Sequence, residues 1–139
     1  MAKNVLFLCT GNSARSQMAE GILRHLGGNN FEAFSAGIKP VPIQPLAIKV
    51  MTEIRIDISN QRSKSIDEFR NLDFDFVITV CDSAKALCPV FLRGVRQIHW
   101  SLIDPAEAKG TEEERLLVFR NVRDQIIEKI KEQFVKGEK

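Results

Sequence analysis

No apolar stretch in this sequence approaches the roughly 20 residues needed to cross a bilayer. Nor does any block of five like charges occur, and Lys plus Arg (20) nearly balance Asp plus Glu (18). Binding to a phosphate backbone draws on a concentrated basic face, so nucleic acid is not an expected partner, and neither is a membrane. Met1-Ala2-Lys3-Asn4 and the brief hydrophobic run after it lack the length of a signal-peptide core, so a cytoplasmic location is expected. Internal repeats and low-complexity segments are absent too. What remains, 139 residues with 44% apolar content, suits one domain over residues 1–139, large enough to bury well over half of its unfolded surface. A monomer is expected.

Cysteine is scarce: Cys9, Cys81 and Cys88 are the only three. An odd number in a reducing compartment argues against a structural disulfide framework and leaves catalysis, metal binding or inert burial. The spacing from Cys81 to Cys88 is wider than the C-x2-4-C of structural zinc, and neither His25 nor His99 adjoins it. No metal site is therefore expected from these residues.

Periodicity places the cysteines. Residues 4–8 form a continuous apolar run of strand formers, as in a strand covered on both faces. From Ser16 onward, Met18, Ala19, Ile22, Leu23 and Leu26 recur at helical spacing until Gly27-Gly28. A second strand is expected at Phe31–Ser35, then a loop through Gly37, Pro40 and Pro42, and a helix from Pro45 to Ile54. A short helix over Ser65–Asn71 leads to a third strand, Phe74–Val80. Val95–Trp100 reads as a fourth strand, and Glu112–Val135 as a long helix with Leu116, Phe119, Ile126, Ile127, Ile130 and Phe134 on one side and a solvated charged face opposite. Strands alternating with helices predict an α/β fold with a four-stranded parallel sheet flanked by helices. Ligands in such sheets collect at the carboxyl ends of the strands. Three expected strands deliver candidates there: the first ends at Cys9, the third at Cys81, and the fourth is followed by Asp104.

Cys9-Thr10-Gly11-Asn12-Ser13-Ala14-Arg15-Ser16 stands at a strand-to-helix switch. The small residues Thr10, Gly11, Asn12, Ser13 and Ala14 let the backbone curl and turn its N–H groups inward at the helix amino end, a setting for a tetrahedral oxyanion. Arg15 adds a bidentate fork that lysine lacks. The same positive field favours the thiolate of Cys9, to which Ser16 can donate. Taken singly, Cys9 reads as core, Arg15 as a surface charge and Ser16 as a helix cap. Together, in the spacing C-x5-R-S, they read as a nucleophile over an anion site. No lysine follows as in the nucleotide-binding Gly-x4-Gly-Lys loop, so the ligand should be a small oxyanion or phosphoryl group. Asp104, held extended by Pro105, can form a turn or act as the acid that protonates a departing oxygen.

C-T-G-N-S-A-R-S-Q-M-A-E at 9–20, S-A-G at 35–37, I-D-I-S-N at 56–60, V-C-D-x5-C-P at 80–89 and H-W-x3-D-P-A at 99–106 together resemble the thioredoxin-coupled arsenate reductases. That family shares the fold of the low-molecular-weight protein tyrosine phosphatases, whose Asp-Pro pair usually has tyrosines beside it. This chain has no tyrosine, and it carries two further cysteines that a phosphatase does not require. The resemblance implies that Cys9 attacks arsenate, Arg15 and the loop amides bind its oxygens, and Asp104 protonates the leaving oxygen. Cys81 then attacks Cys9, arsenite departs, and Cys88 resolves the disulfide by attacking Cys81. Thioredoxin would be the electron donor, with no tightly bound cofactor, and phosphate or sulfate would compete with arsenate. Glutathione with glutaredoxin is the other reductant in principle. Weak phosphatase activity is the expected side reaction, and phosphomonoester or phosphotyrosine hydrolysis the alternative function. A non-catalytic anion-binding module is disfavoured because Cys9, Arg15 and Asp104 are all present.

A disulfide needs Cα atoms within about 7 Å, whereas seven residues of α-helix span roughly 10.5 Å. A redox-dependent loop is therefore predicted over Ser83–Leu87. Many members of the family have another cysteine where Ala14 stands, outside the relay. Some hold potassium near positions corresponding to Asn12, Glu20 and Ser35, with an acidic residue at position 64. Here Lys64 counts against the ion and is expected to pair with Glu20 instead.

Overall fold

Val5, Leu6, Phe7 and Leu8 are all completely buried, as an unbroken apolar run requires of a strand with no solvent face. They lie in β1 (Lys3–Cys9), one of the elements of a computed structural model that describes residues 2–81 and 96–136. After it come α1 (Arg15–Gly27), β2 (Phe31–Gly37), α2 (Pro45–Glu53), β3 (Phe76–Thr79), β4 (Arg96–His99) and α3 (Glu112–Ile130). The sheet order is β2-β1-β3-β4, and every pairing is parallel. The α/β class and the four-stranded parallel sheet expected from the sequence are thus present.

Register sets where the site lies. Cys9 pairs with Gly37 across β1 and β2, Leu8 with Thr79 across β1 and β3, and Thr79 with His99 across β3 and β4. The carboxyl ends of all four strands therefore finish level. β1 lies second from one edge, and its last residue sits between its neighbours' ends.

The helices cover the sheet with the faces their periods mark. α1 buries Met18, Ala19, Ile22 and Leu23, and ends at Gly28, whose positive φ of +57° suits glycine. α2 buries Leu46, Ala47, Val50 and Met51. α3 packs against both α1 and α2. It begins with a capping box in which Thr111 and Glu114 each accept the other's backbone N–H.

Three expectations need correction. The segment expected as a helix over Ser65–Asn71 is a 3₁₀ turn, Ile66–Phe69; it buries only Ile66, too narrow an apolar face to anchor a longer helix. The long helix does not run unbroken to Val135: Lys131–Lys136 is a π-turn, in a segment whose Phe134 meets Phe31 and Phe76 edge-on. Nor is the charged side of α3 wholly solvated. Arg123 is 8% exposed and donates to the carbonyl of Val50 at 2.8 Å and to Glu53 at 2.9 Å, tying α3 to α2. The expected strand at Val95–Trp100 corresponds to β4; Val95, Cys88 and the redox loop at Ser83–Leu87 lie outside the described residues.

Candidate functional site

The loop after β1 is shaped by where its carbonyls go. Cys9 O accepts from the amide of Ile38 at 3.2 Å, Thr10 O from Lys39 at 2.8 Å, Gly11 O from Val41 at 2.9 Å and Ser13 O from Gln44 at 2.9 Å. Ser63 Oγ also donates to Gly11 O at 3.1 Å, and Gln17 Nε2 to Asn12 O at 3.0 Å. With its acceptors drawn to the outer neighbours, the curl leaves its donors for the concave side. Ala14 caps α1 without any side-chain hydrogen bond, and no acidic residue stands in the first turn. The positive pole of the helix is therefore unopposed from within the helix.

Asn12 makes the curl possible. Its backbone is left-handed, φ +50°, a conformation asparagine tolerates better than most side chains. Its own amide donates to Cys9 Sγ at 3.1 Å, and its side-chain oxygen accepts from Lys64 N at 3.0 Å and Gln17 Nε2 at 2.9 Å. The fit is close at Gly37: a Cβ there would lie 2.7 Å from Thr10 O and 2.9 Å from Asn12 N. Only glycine lets β2 run this near the loop.

Cys9, 3% exposed, has a second polar neighbour. Ser16 Oγ lies 2.9 Å from its sulfur while accepting from Asn12 Nδ2 at 2.8 Å. With the amide on one lone pair, the hydroxyl is held where it can donate to the sulfur. Asn12 and Ser16 are both fully buried. They hold the loop and Cys9 from behind rather than facing the cleft, which the sequence did not distinguish.

A cleft of about 340 Å³ opens over this arrangement, lined by Cys9, Thr10, Gly11, Ser13, Ala14 and Arg15 and bordered by Lys39, Val41 and Asp104. Arg15 Nη1 donates to Leu102 O at 2.9 Å and more weakly to Val80 O at 3.4 Å. Its Nη2 lies 3.7 Å from Asp104 Oδ2. The other oxygen of Asp104 accepts from Ala106 N at 3.0 Å, capping a 3₁₀ turn at Pro105–Glu107. Turn formation and a position on the cleft are therefore combined in one carboxylate.

Cys81 follows β3 by two residues and is 8% exposed. Thr10 Oγ1 lies 3.3 Å from its sulfur, so the residue next to Cys9 touches the second thiol. Cys88 lies outside the described residues.

Behind the loop is a buried polar group. Glu20, 5% exposed, accepts from Ser35 Oγ at 2.5 Å and pairs with Arg24. Lys64 Nζ lies 3.5 Å from Glu20 and 3.3 Å from Ser35 Oγ. Burial pushes the Lys64 ammonium below its ordinary range, and Glu20 opposes that shift. Among the described residues, no group of three or more His, Cys, Asp or Glu is placed to hold a metal ion. No helix among them is long and apolar enough to cross a membrane.

The supporting residues Gln17, Gly37, Lys39, Gln44, Ser63 and Lys64 were not all visible in the sequence as site residues. Gln17 and Gly37 lie inside quoted motifs, but the contacts of the others come from segments 25 to 55 positions away, beyond the reach of spacing.

Comparison with known proteins matches residues 4–138 to the family of low molecular weight phosphotyrosine protein phosphatases. A protein of Oceanobacillus iheyensis named arsenate reductase is 48% identical over 132 residues, covering 94% of this chain and 95% of the relative. The solved structure of an arsenate reductase in a phosphate-binding state superposes with a TM-score of 0.83 at 36% identity, over 96% of this chain and 98% of that one. A thioredoxin-dependent arsenate reductase of Corynebacterium glutamicum superposes with a TM-score of 0.71 at 27% identity, over 99% of this chain and 64% of that one.

Proposed function

The chain belongs to the low molecular weight phosphotyrosine protein phosphatase family, and within it we propose that this protein is an arsenate reductase working through three thiols. The observation that carries the reading is the contact between Thr10 and Cys81 at 3.3 Å. It puts a second thiol beside the nucleophile's loop, and hydrolysis has no use for one.

The reaction follows from the groups at the cleft. The Cys9 thiolate, with donors from Asn12 N and Ser16 Oγ, attacks the arsenic of arsenate. Loop amides at Thr10, Gly11, Ser13 and Ala14 and the Arg15 guanidinium bind the oxygens, and Asp104 gives a proton to the oxygen that leaves as water. The product is a covalent sulfur–arsenic adduct. Cys81 then attacks the sulfur of Cys9. The electron pair of the sulfur–arsenic bond departs with arsenic, which is reduced by two electrons and leaves as arsenite. The two thiols have supplied those electrons and are joined as a Cys9–Cys81 disulfide. Cys88 attacks Cys81, freeing Cys9, and the Cys81–Cys88 disulfide is passed to a dithiol reductant, for which thioredoxin is proposed. Phosphate and sulfate compete for the same donors. The site residues belong to one chain, so a monomer suffices, and the reduced thiols suit the cytoplasm.

Potassium has no assigned step. Lys64 Nζ is within 3.5 Å of Glu20 and Ser35, so an ammonium already stands among the groups that would hold the ion. A further cation would meet its repulsion.

Turnover with arsenate, thioredoxin, thioredoxin reductase and NADPH tests the reading. Cys9→Ser should abolish arsenite formation, whereas Cys81→Ser and Cys88→Ser should stop after at most one turnover. Parental rates over many turnovers in either resolving-cysteine variant would exclude the relay. Aryl phosphate hydrolysis requiring Cys9, Arg15 and Asp104 alone would show only that the first attack is shared.

A further inference from the structure

A second cation stands at the mouth of the cleft. The floor of the cleft has a single cationic side chain, Arg15, whose guanidinium is already engaged by Leu102 O and Val80 O and lies beside Asp104. The remaining charged residue at the mouth is Lys39. Among the described residues no carboxylate pairs with it. Arg15, by contrast, has Asp104 within 3.7 Å, and Lys64 and Arg24 share Glu20.

Lys39 is also held in place. Its amide donates to Thr10 O at 2.8 Å, between the bonds from Ile38 N to Cys9 O at 3.2 Å and from Val41 N to Gly11 O at 2.9 Å. Pro40 restricts the backbone on its carboxyl side. The backbone of Lys39 is thus fixed to the anion loop while its side chain stays exposed. A rim ammonium on a rigid base can steer a multiply charged anion and grip an outer oxygen without blocking the floor.

We propose that Lys39 is the substrate-capture residue of this cleft. Its ammonium draws the oxyanion to the mouth and binds an oxygen that the loop amides and Arg15 leave free, which sets KM and does not enter the chemistry. The inference rests on the arsenate-reductase reading for its substrate, yet anion capture can be measured without turnover.

The test is the affinity of the reduced protein for inorganic phosphate, by calorimetry at low and at high ionic strength, in the parent, Lys39→Gln, Lys39→Arg and Lys129→Gln. Lys129 makes the same charge change on α3, near the end that carries Phe134, whose ring meets Phe31 and Phe76 at the starts of β2 and β3, opposite the cleft. Lys39→Gln should weaken phosphate binding about threefold at low salt, and the difference should close as salt screens the rim charge. Lys39→Arg and Lys129→Gln should bind as the parent does. In arsenate turnover, Lys39→Gln should raise KM by the same factor and leave kcat unchanged. Parental phosphate affinity in Lys39→Gln, an equal loss in Lys129→Gln, or a parent that binds no phosphate would overturn the proposal. A threefold loss in Lys39→Gln together with no arsenate reduction by the parent would instead retain the capture role and reject the reaction.

Discussion

Ser16 Oγ lies 2.9 Å from the sulfur of Cys9 while Asn12 Nδ2 donates to the same hydroxyl from the other side at 2.8 Å. One buried amide thereby anchors the hydroxyl beside the sulfur, where it is placed to donate to a thiolate. Ser16→Ala removes that donor and leaves Asn12 N as the one described donor to the sulfur. A hydrogen bond to a charged acceptor contributes about 1.5–3 kcal/mol, so Ser16→Ala should slow both arsenate reduction and alkylation of Cys9 at neutral pH by about tenfold or more. Iodoacetamide kinetics with mapping of the modified cysteine would measure it. Unchanged alkylation would show that the serine only caps.

The half-buried Lys64 ammonium gives a second prediction. Lys64→Ala leaves Glu20 with Arg24 and Ser35 and removes a half-buried cation, which should cost about 1–3 kcal/mol of stability in sodium buffer. Without the side-chain anchor at Glu20 and Ser35, residue 64 should shift and loosen the bond from its backbone N to Asn12 Oδ1, so the loss should include order at Asn12. Potassium should restore part of both in the variant and do nothing for the parent. Thermal melting and amide exchange at Asn12, with and without potassium, would decide; no effect of either change would reject the substitution of ammonium for ion.

Glu53 ties α2 to α3, accepting from Arg120 at 2.8 Å and Arg123 at 2.9 Å. Hydrogen bonding from Arg120 is the largest influence on its carboxyl, which sits at about 2 against an ordinary value of 4.5. A carboxylate lowered on folding adds stability that is present above the ordinary value and lost as pH falls through the folded one. Glu53→Gln should therefore be less stable than the parent at pH 7, by about 1 kcal/mol since the pair is partly solvated. The gap should narrow between about pH 4.5 and about pH 2. Urea unfolding across that range would show it, and a gap independent of pH would contradict it.

Much of this molecule could be read from short-range pattern. The run Val5–Leu8 and the helical recurrence of Met18, Ala19, Ile22 and Leu23 each report a local period, and the structure keeps both. The Cys9–Arg15 spacing likewise marks the anion loop, because curl and helix start are contiguous. β2 runs two residues beyond its expected end, to Gly37, since its length is set by pairing with Cys9 rather than by its own apolar residues. The same reason hid the loop's supports. Lys39, Val41, Gln44 and Ser63 meet it through backbone or polar contacts that leave no periodic trace, whereas Lys64 stands beside Glu20 as expected. The burial of Asn12 and Ser16 was hidden as well, since a left-handed asparagine looks like any other in sequence.

The central claim is that Cys9 and Cys81 are redox partners, as the contact of Cys81 with Thr10 suggests. The most direct measurement is a single turnover of Cys88→Ser with excess arsenate and no thioredoxin, quenched in acid, followed by peptide mapping and arsenite assay. One arsenite should be released per protein, with a disulfide joining the Cys9 and Cys81 peptides. Arsenite release with both thiols still free, or no release at all from a folded variant, would contradict it.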